Sequence, residues 1–121
     1  MSEFPFERRL GAVPLRHGGT EFRVWAPAPE RLALRIGGAD HALAPAGYDI
    51  YEATVDAGAG DDYELVVNGT PLPDPCSRWQ PHGLRGPSRI VDPFAFEWTD
   101  GEFRIPGLQD AVVYELHVGT F

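Results

Sequence analysis

The sequence of 121 residues has little of three things: cysteine, positive charge and long apolar runs. Its single cysteine, Cys76, cannot form an internal disulfide, which favours a reducing, cytoplasmic setting. The net charge of −8 would repel nucleic acids and anionic membrane surfaces, so we expect neither as a partner. No stretch approaches the roughly 20 apolar residues of a membrane span, and residues 1–10 lack the apolar region of a secretory signal.

Motifs for metal, phosphate or cofactor chemistry are also missing. Cys76 and the 4 histidines show none of the recognised metal-ligand spacings, and no glycine-rich phosphate-binding loop occurs. Catalysis by a pair of carboxylates needs two carboxyl groups held close together, for example roughly 5–5.5 Å apart. Most Asp and Glu residues here fall in predicted turns or on solvent-facing strand positions, where solubility explains them better. We therefore predict no cofactor, no metal site and no catalytic residue in this chain.

The sequence does contain apolar residues in alternation, punctuated by Gly and Pro. The hydrophobic content of 43% is enough for a real core, whereas 14 Gly and 12 Pro are too many for long helices. Tight turns are indicated at Gly37-Gly38 and Asn68-Gly69. This pattern predicts an all-β protein built as an antiparallel β-sandwich. The alternating runs are residues 21–26, 31–36, 41–44, 49–55 and 62–67.

Two of these runs predict which side chains form the core. In the first run, Phe22 and Val24 share one face, while Arg23 and Trp25 lie on the opposite face, which an antiparallel sheet can expose to solvent. In the last run, Tyr63 shares a face with two apolar neighbours, so we expect it to be buried.

The character of the chain changes at Thr70. Residues 70–92 are rich in proline and predict an extended segment with one short strand at 89–91. Residues 93–110 are typical of a linker with aromatic anchors. Residues 111–121 form a nearly continuous apolar run rich in β-branched side chains, which suits a strand buried on both faces, as in a parallel sheet.

Three stretches carry a resemblance to known enzymes. Residues 8–36, RRLGAVPL…GTEFRVWAPAPERLALRI, resemble the start of the immunoglobulin-like N-terminal domain of glycogen-branching, debranching and trehalose-releasing enzymes, grouped with carbohydrate-binding-module family forty-eight. Residues 74–88, DPCSRWQPHGLRGPS, resemble a stretch typical of the maltooligosyltrehalose trehalohydrolases, with Leu84 where Val is usual and Arg85 where His is usual. Residues 112–121, VVYELHVGTF, look like the first strand of a catalytic (β/α)8 barrel.

The resemblance implies a domain organisation and a function. Residues 1–92 would be the immunoglobulin-like sandwich, residues 93–110 a linker, and residues 111–121 the first strand of a catalytic barrel. The catalytic barrel would be a partner domain in the same polypeptide. The parent enzyme of the α-amylase superfamily would release trehalose from maltooligosyl trehalose by a retaining mechanism, with its catalytic acids on later barrel strands. The alternatives are a glycogen-branching or debranching enzyme, which residues 74–88 disfavour, and a stand-alone glucan-binding module, which the strand at 112–118 disfavours.

Candidate site residues follow from side-chain chemistry. Trp79 is a candidate carbohydrate-binding residue, because a flat aromatic face can cover the apolar face of a sugar. A contact with a neighbouring domain competes with that role for Trp79, and we expect such a contact for a further four residues: Trp25, Arg78, Gln80 and Arg85.

The last predicted strand raises two further questions. Glu115 and His117 share one face of it, and they act either as a proton relay or as packing residues of the barrel. The apolar run 112–118 would also allow self-association if its partner strands were absent.

Overall fold

The computed structural model describes residues 4–121 and contains nine short β-strands. Short 3-10 turns at Pro5–Glu7 and Leu108–Asp110 are the helical elements among these residues, and none is long and apolar enough to cross a membrane. The strands are β1 Gly11–Pro14, β2 Thr20–Trp25, β3 Leu32–Ile36, β4 Ala39–Ala42, β5 Ala44–Gly47, β6 Ile50–Val55, β7 Asp62–Val67, β8 Thr70–Leu72 and β9 Ser88–Arg89.

The strands form two antiparallel sheets, which confirms the predicted sandwich. The first sheet has the order β1-β2-β6-β5, and the second has the order β4-β3-β7-β8, with β9 paired to the beginning of β7. The chain passes from one sheet to the other between β4 and β5, at the buried Leu43. The prediction of a single return strand at 41–44 is therefore wrong, because the crossing divides these residues between the two sheets.

The predicted turns lie where the sequence indicated. Gly37-Gly38 joins β3 to β4 and Asn68-Gly69 joins β7 to β8, and all four residues have positive φ. Two-residue hairpin turns of this kind match the right-handed twist of the strands they connect.

The core lies between the sheets and consists of the side chains that the alternation assigned to it. Phe22 and Val24 of β2 face Tyr63 and Leu65 of β7, and each is at most 6% exposed. The rings of Phe22 and Tyr63 meet edge to face, with their centroids 5.0 Å apart. Such aromatic pairs contribute about 0.5–1.5 kcal/mol beyond area burial.

Arg23 is the exception on β2. It was expected on a solvent-facing surface, but it is buried because the chain around Pro5 crosses the outer face of the first sheet. Its guanidinium donates to the Pro5 carbonyl at 2.7 Å and to the Glu52 carboxylate at 3.0 Å. Arg8 extends this ion-pair network to Glu52 and Glu21.

Residues 93–121 differ from the rest of the chain. No strand is formed there, and every side chain in the segment is exposed. Residues 112–118 have no strand partner among residues 4–121. Their assignment to a barrel strand stays a prediction, as does the linker at 93–110.

Candidate functional site

The Pro-rich loop, residues 73–87, connects β8 to β9 and is fastened to the sandwich by a buried carboxylate. Asp74 is 5% exposed, and its Oδ2 accepts a hydrogen bond of 2.7 Å from the Tyr63 hydroxyl. Its Oδ1 accepts one of 2.8 Å from the Cys76 backbone, and the Asp74 backbone N–H donates to Ser88 Oγ at 3.0 Å. Because Ser88 pairs with Tyr63 in the sheet, both ends of the loop are joined at one point of the core.

Burial governs the ionisation of this cluster. Desolvation raises the pKa of Asp74 above its usual range, against the opposing hydrogen bonds from Tyr63 and Cys76. Desolvation and the neighbouring Asp74 carboxylate also raise the pKa of the Tyr63 hydroxyl, which therefore stays protonated and donates. The arrangement stabilises the loop.

The beginning of the loop lies against strand β1. The Arg78 guanidinium donates to the Ala12 carbonyl oxygen at 2.5 Å. Gly11 has φ of 84°, and a Cβ there would stand 2.8 Å from the Cys76 carbonyl oxygen. A glycine is therefore required for the loop to approach this closely. Arg78 was expected to contact another domain, but one nitrogen of its guanidinium is hydrogen-bonded within its own domain.

Trp79 is held at the surface by a charged cluster. The Arg89 guanidinium lies 5.1 Å from the centre of the Trp79 ring and donates to both oxygens of Asp62, at 2.6 and 3.0 Å. His82 lies 3.2 Å from the same carboxylate. The hydrogen bond from Arg89 is the main reason that the pKa of Asp62 lies below its usual value. The contact with Arg89 fixes the orientation of the Trp79 ring. The side chain nevertheless remains 49% exposed, so half of its surface faces solvent.

The tip of the loop carries two other candidates. The Gln80 side-chain amide donates to the Leu84 carbonyl oxygen at 3.4 Å, which closes the turn. Arg85 is exposed, and Leu84 beside it is 84% exposed. Trp79, Gln80 and Arg85 thus lie on the same loop, and their contact with a neighbouring domain stays a prediction.

Trp25 belongs to a different surface. It is 57% exposed and lines a largely apolar groove of about 310 Å³, together with Val67 and Leu72. Val67 ends strand β7, whereas the Asp62 that anchors the Trp79 cluster begins it. Trp25 and Trp79 are thus placed at opposite ends of this strand.

The residues that matter most to the loop were missed at the sequence level. Asp74 and Ser88 are the first and last residues of the motif in 74–88. Their places at its two ends were the signal in the sequence that could have indicated a contact between them. Asp62 was assigned to solubility in a turn, although it clamps Arg89. Glu115 and His117 are exposed, and the His117 ring lies 3.1 Å from the hydroxyl of its near neighbour Thr120.

The sandwich and its loop are similar in fold to part of a larger α-amylase-like protein. A crystal structure of an α-amylase-like protein from Salmonella typhimurium matches 93% of the chain with a TM-score of 0.81 and 33% identity, and the match spans 20% of that protein. A pullulanase from Paenibacillus barengoltzii shares the fold, with a TM-score of 0.63 at 24% identity.

The sequence comparisons identify a narrower group. The chain is 43% identical over 114 residues to a malto-oligosyltrehalose trehalohydrolase from Deinococcus radiodurans, and 37% identical over 112 residues to one from Saccharolobus solfataricus. These matches cover 93% and 88% of the chain. No protein-family model matches. The chain spans about a fifth of the length of these relatives and corresponds to their N-terminal part, which confirms the resemblance drawn from its motifs.

Proposed function

We propose that this chain is the non-catalytic N-terminal domain of an enzyme that releases trehalose from maltooligosyl trehalose. The enzyme would cleave the adjacent α-1,4 bond by a retaining mechanism, with its catalytic carboxylates on a barrel outside residues 1–121. The supporting observation is the 43% identity to a protein of that name, combined with coverage of about a fifth of its length. The role would belong to cytoplasmic trehalose biosynthesis, in keeping with the single cysteine.

Within that enzyme, the Pro-rich loop would contact the catalytic domain. Its fold is held by the buried Asp74, so its exposed side chains are presented on a fixed backbone. Trp79 and Leu84 offer apolar area there, and Arg85 adds a charge. Aromatic residues and arginine are enriched in the centres of protein interfaces.

A second role for Trp79 is supported by the same geometry. Its ring is stacked by Arg89 and half exposed, which suits a platform for one glucose unit of a malto-oligosaccharide. Because one aromatic ring gives limited contact area, we expect weak affinity at most. Calorimetry with maltoheptaose distinguishes the two roles: micromolar binding that is lost in Trp79→Ala would favour the sugar platform over the domain contact.

The experiment that tests the proposed activity measures trehalose released from maltooligosyl trehalose. The whole protein that carries this domain is expected to release it, and the 121-residue chain is expected to release none above buffer. Trehalose release by the 121-residue chain would overturn the non-catalytic role. Failure of the whole protein to release trehalose, with cleavage or branching of starch instead, would favour a branching or debranching enzyme.

A further inference from the structure

Asn68 is the only asparagine in the sequence, and glycine follows it. The two residues form the exposed turn between β7 and β8, whose last ladder pair is Val67 with Thr70. Gly69 therefore lies outside the ladder, and open space surrounds the position where its Cβ would stand. The Asn68 side chain is therefore next in sequence to a backbone nitrogen in an exposed turn.

The Asn68 amide is also polarised by its surroundings. The Arg31 backbone N–H donates to Asn68 Oδ1 at 2.9 Å, and the Asn68 N–H donates to the Arg31 carbonyl at 2.9 Å. A donor on the amide oxygen stabilises the negative charge that develops there when a nucleophile attacks the amide carbon. The same pair of bonds fastens the segment before β3 to the turn.

We propose that Asn68 is a site of spontaneous deamidation. Hydroxide removes the proton of the Gly69 backbone nitrogen, and this nitrogen attacks Asn68 Cγ. The new N–Cγ bond closes a five-membered succinimide, while the Cγ–Nδ2 bond breaks and the nitrogen leaves as ammonia after taking up a proton. Water then opens the ring at either carbonyl carbon, which yields aspartate or isoaspartate.

The two products would affect the domain differently. Aspartate keeps an oxygen acceptor for the Arg31 N–H and adds one negative charge. In isoaspartate, the main chain runs through the side-chain carbon atoms. This change lengthens a turn that has only two residues. The register of Val67 with Thr70 would then be lost, and with it the path of β8 toward the buried Asp74.

The test uses the full 121-residue chain, incubated at mildly alkaline pH beside an unstructured peptide that contains Val-Asn-Gly-Thr. We expect the protein to gain about one dalton by intact mass, and proteolytic mapping to place isoaspartate at position 68. Asn68→Gly, which keeps a residue that tolerates positive φ, is the matched control and should gain no mass. A wild-type protein that is unchanged when the peptide has fully converted would overturn the proposal. Equal mass gain in Asn68→Gly would overturn it too, since the ammonia would then come from Gln80 or Gln109.

Discussion

The Pro-rich loop and the segment 93–121 are both irregular, yet only the loop is fixed to the sandwich. The loop has a carboxylate at its base that is 5% exposed and hydrogen-bonded to Tyr63 and Cys76. In the segment 93–121, all side chains are exposed. Phe94 makes a cation–π contact with Arg16, whose guanidinium lies 5.6 Å from the centre of the ring.

The difference shows that apolar content alone does not fix a segment to the sandwich. Residues 112–118 are far more hydrophobic than the loop, but they are exposed and pair with no strand among residues 4–121. The loop is ordered by a few polar contacts whose loss would leave buried groups unpaired, and such groups cost about 1–3 kcal/mol each.

Removing the aromatic ring beneath the loop should have the largest effect. Tyr63→Ala should lower the free energy of unfolding by about 3–5 kcal/mol, because it empties a core position that is 2% exposed. Tyr63→Phe keeps the ring and should cost about 1–3 kcal/mol, since only the hydrogen bond to Asp74 is lost. Denaturant unfolding measures both. A loss below about 1 kcal/mol for Tyr63→Ala would show that the ring is not a core residue.

Asp74 itself should give a comparable loss with a characteristic pH dependence. Asp74→Ala leaves the Tyr63 hydroxyl and the Cys76 N–H unpaired and should cost about 1–3 kcal/mol for each group. Asp74→Asn, which can accept from one group and donate to the other, should cost less.

The sign of the pH effect follows from the raised pKa of Asp74. Its folded pKa lies above the unfolded value of 3.8, so its contribution to stability is complete below that value and is lost as pH rises through the folded pKa. The stability of the wild type relative to Asp74→Asn should therefore fall as pH rises from below 3.8 to neutral. Stability curves that stay parallel, or a difference that grows with pH, would contradict the raised pKa.

Removing the Arg89 side chain, which contacts Asp62 and Trp79, should have a modest effect on stability and a clear effect on the protease sensitivity of the loop. Arg89→Ala removes the ion pair with Asp62 and the contact with Trp79, and a solvent-screened pair of this kind contributes little to stability. Limited proteolysis should nonetheless cut residues 77–87 faster than in the wild type. Arg85→Ala removes an exposed side chain of the same loop and serves as the control. Equal cleavage in both variants would mean that Arg89 does not hold the loop.

Shortening the chain should have the smallest effect on stability. A chain that ends at Gly107 should unfold within about 0.5 kcal/mol of the full chain, because the removed side chains are exposed. Light scattering at high concentration should show self-association of the full chain only, through strand pairing of 112–118. If both chains are monomeric at the same concentration, the pairing hypothesis is wrong.

The sequence predicted the parts of the fold that depend on periodicity and turn chemistry. Phe22, Val24 and Tyr63 alternate with polar neighbours, and each is buried as that alternation requires. The burial of Arg23 was not predictable, because it depends on a crossing segment near Pro5 that has no periodic signal. Strands β5 and β8 were missed for a related reason: they are three or four residues long and contain proline.

The site was predicted only in its outline. The motif of residues 74–88 located the loop and its exposed candidates, including Trp79 and Arg85. It did not show that Asp74 is buried or that Asp62 and Arg89 clamp Trp79, since these contacts join positions far apart in the sequence. Contacts of this kind depend on tertiary structure, and no local pattern encodes them.

The most direct test of the account is amide hydrogen exchange in residues 76–87, compared between the 121-residue chain and the whole protein that carries it. If the Pro-rich loop contacts the catalytic domain, its backbone should exchange more slowly in the whole protein, with the largest change around Trp79, while β7 exchanges at the same rate in both. Equal exchange of the loop in the two proteins would contradict the proposed contact.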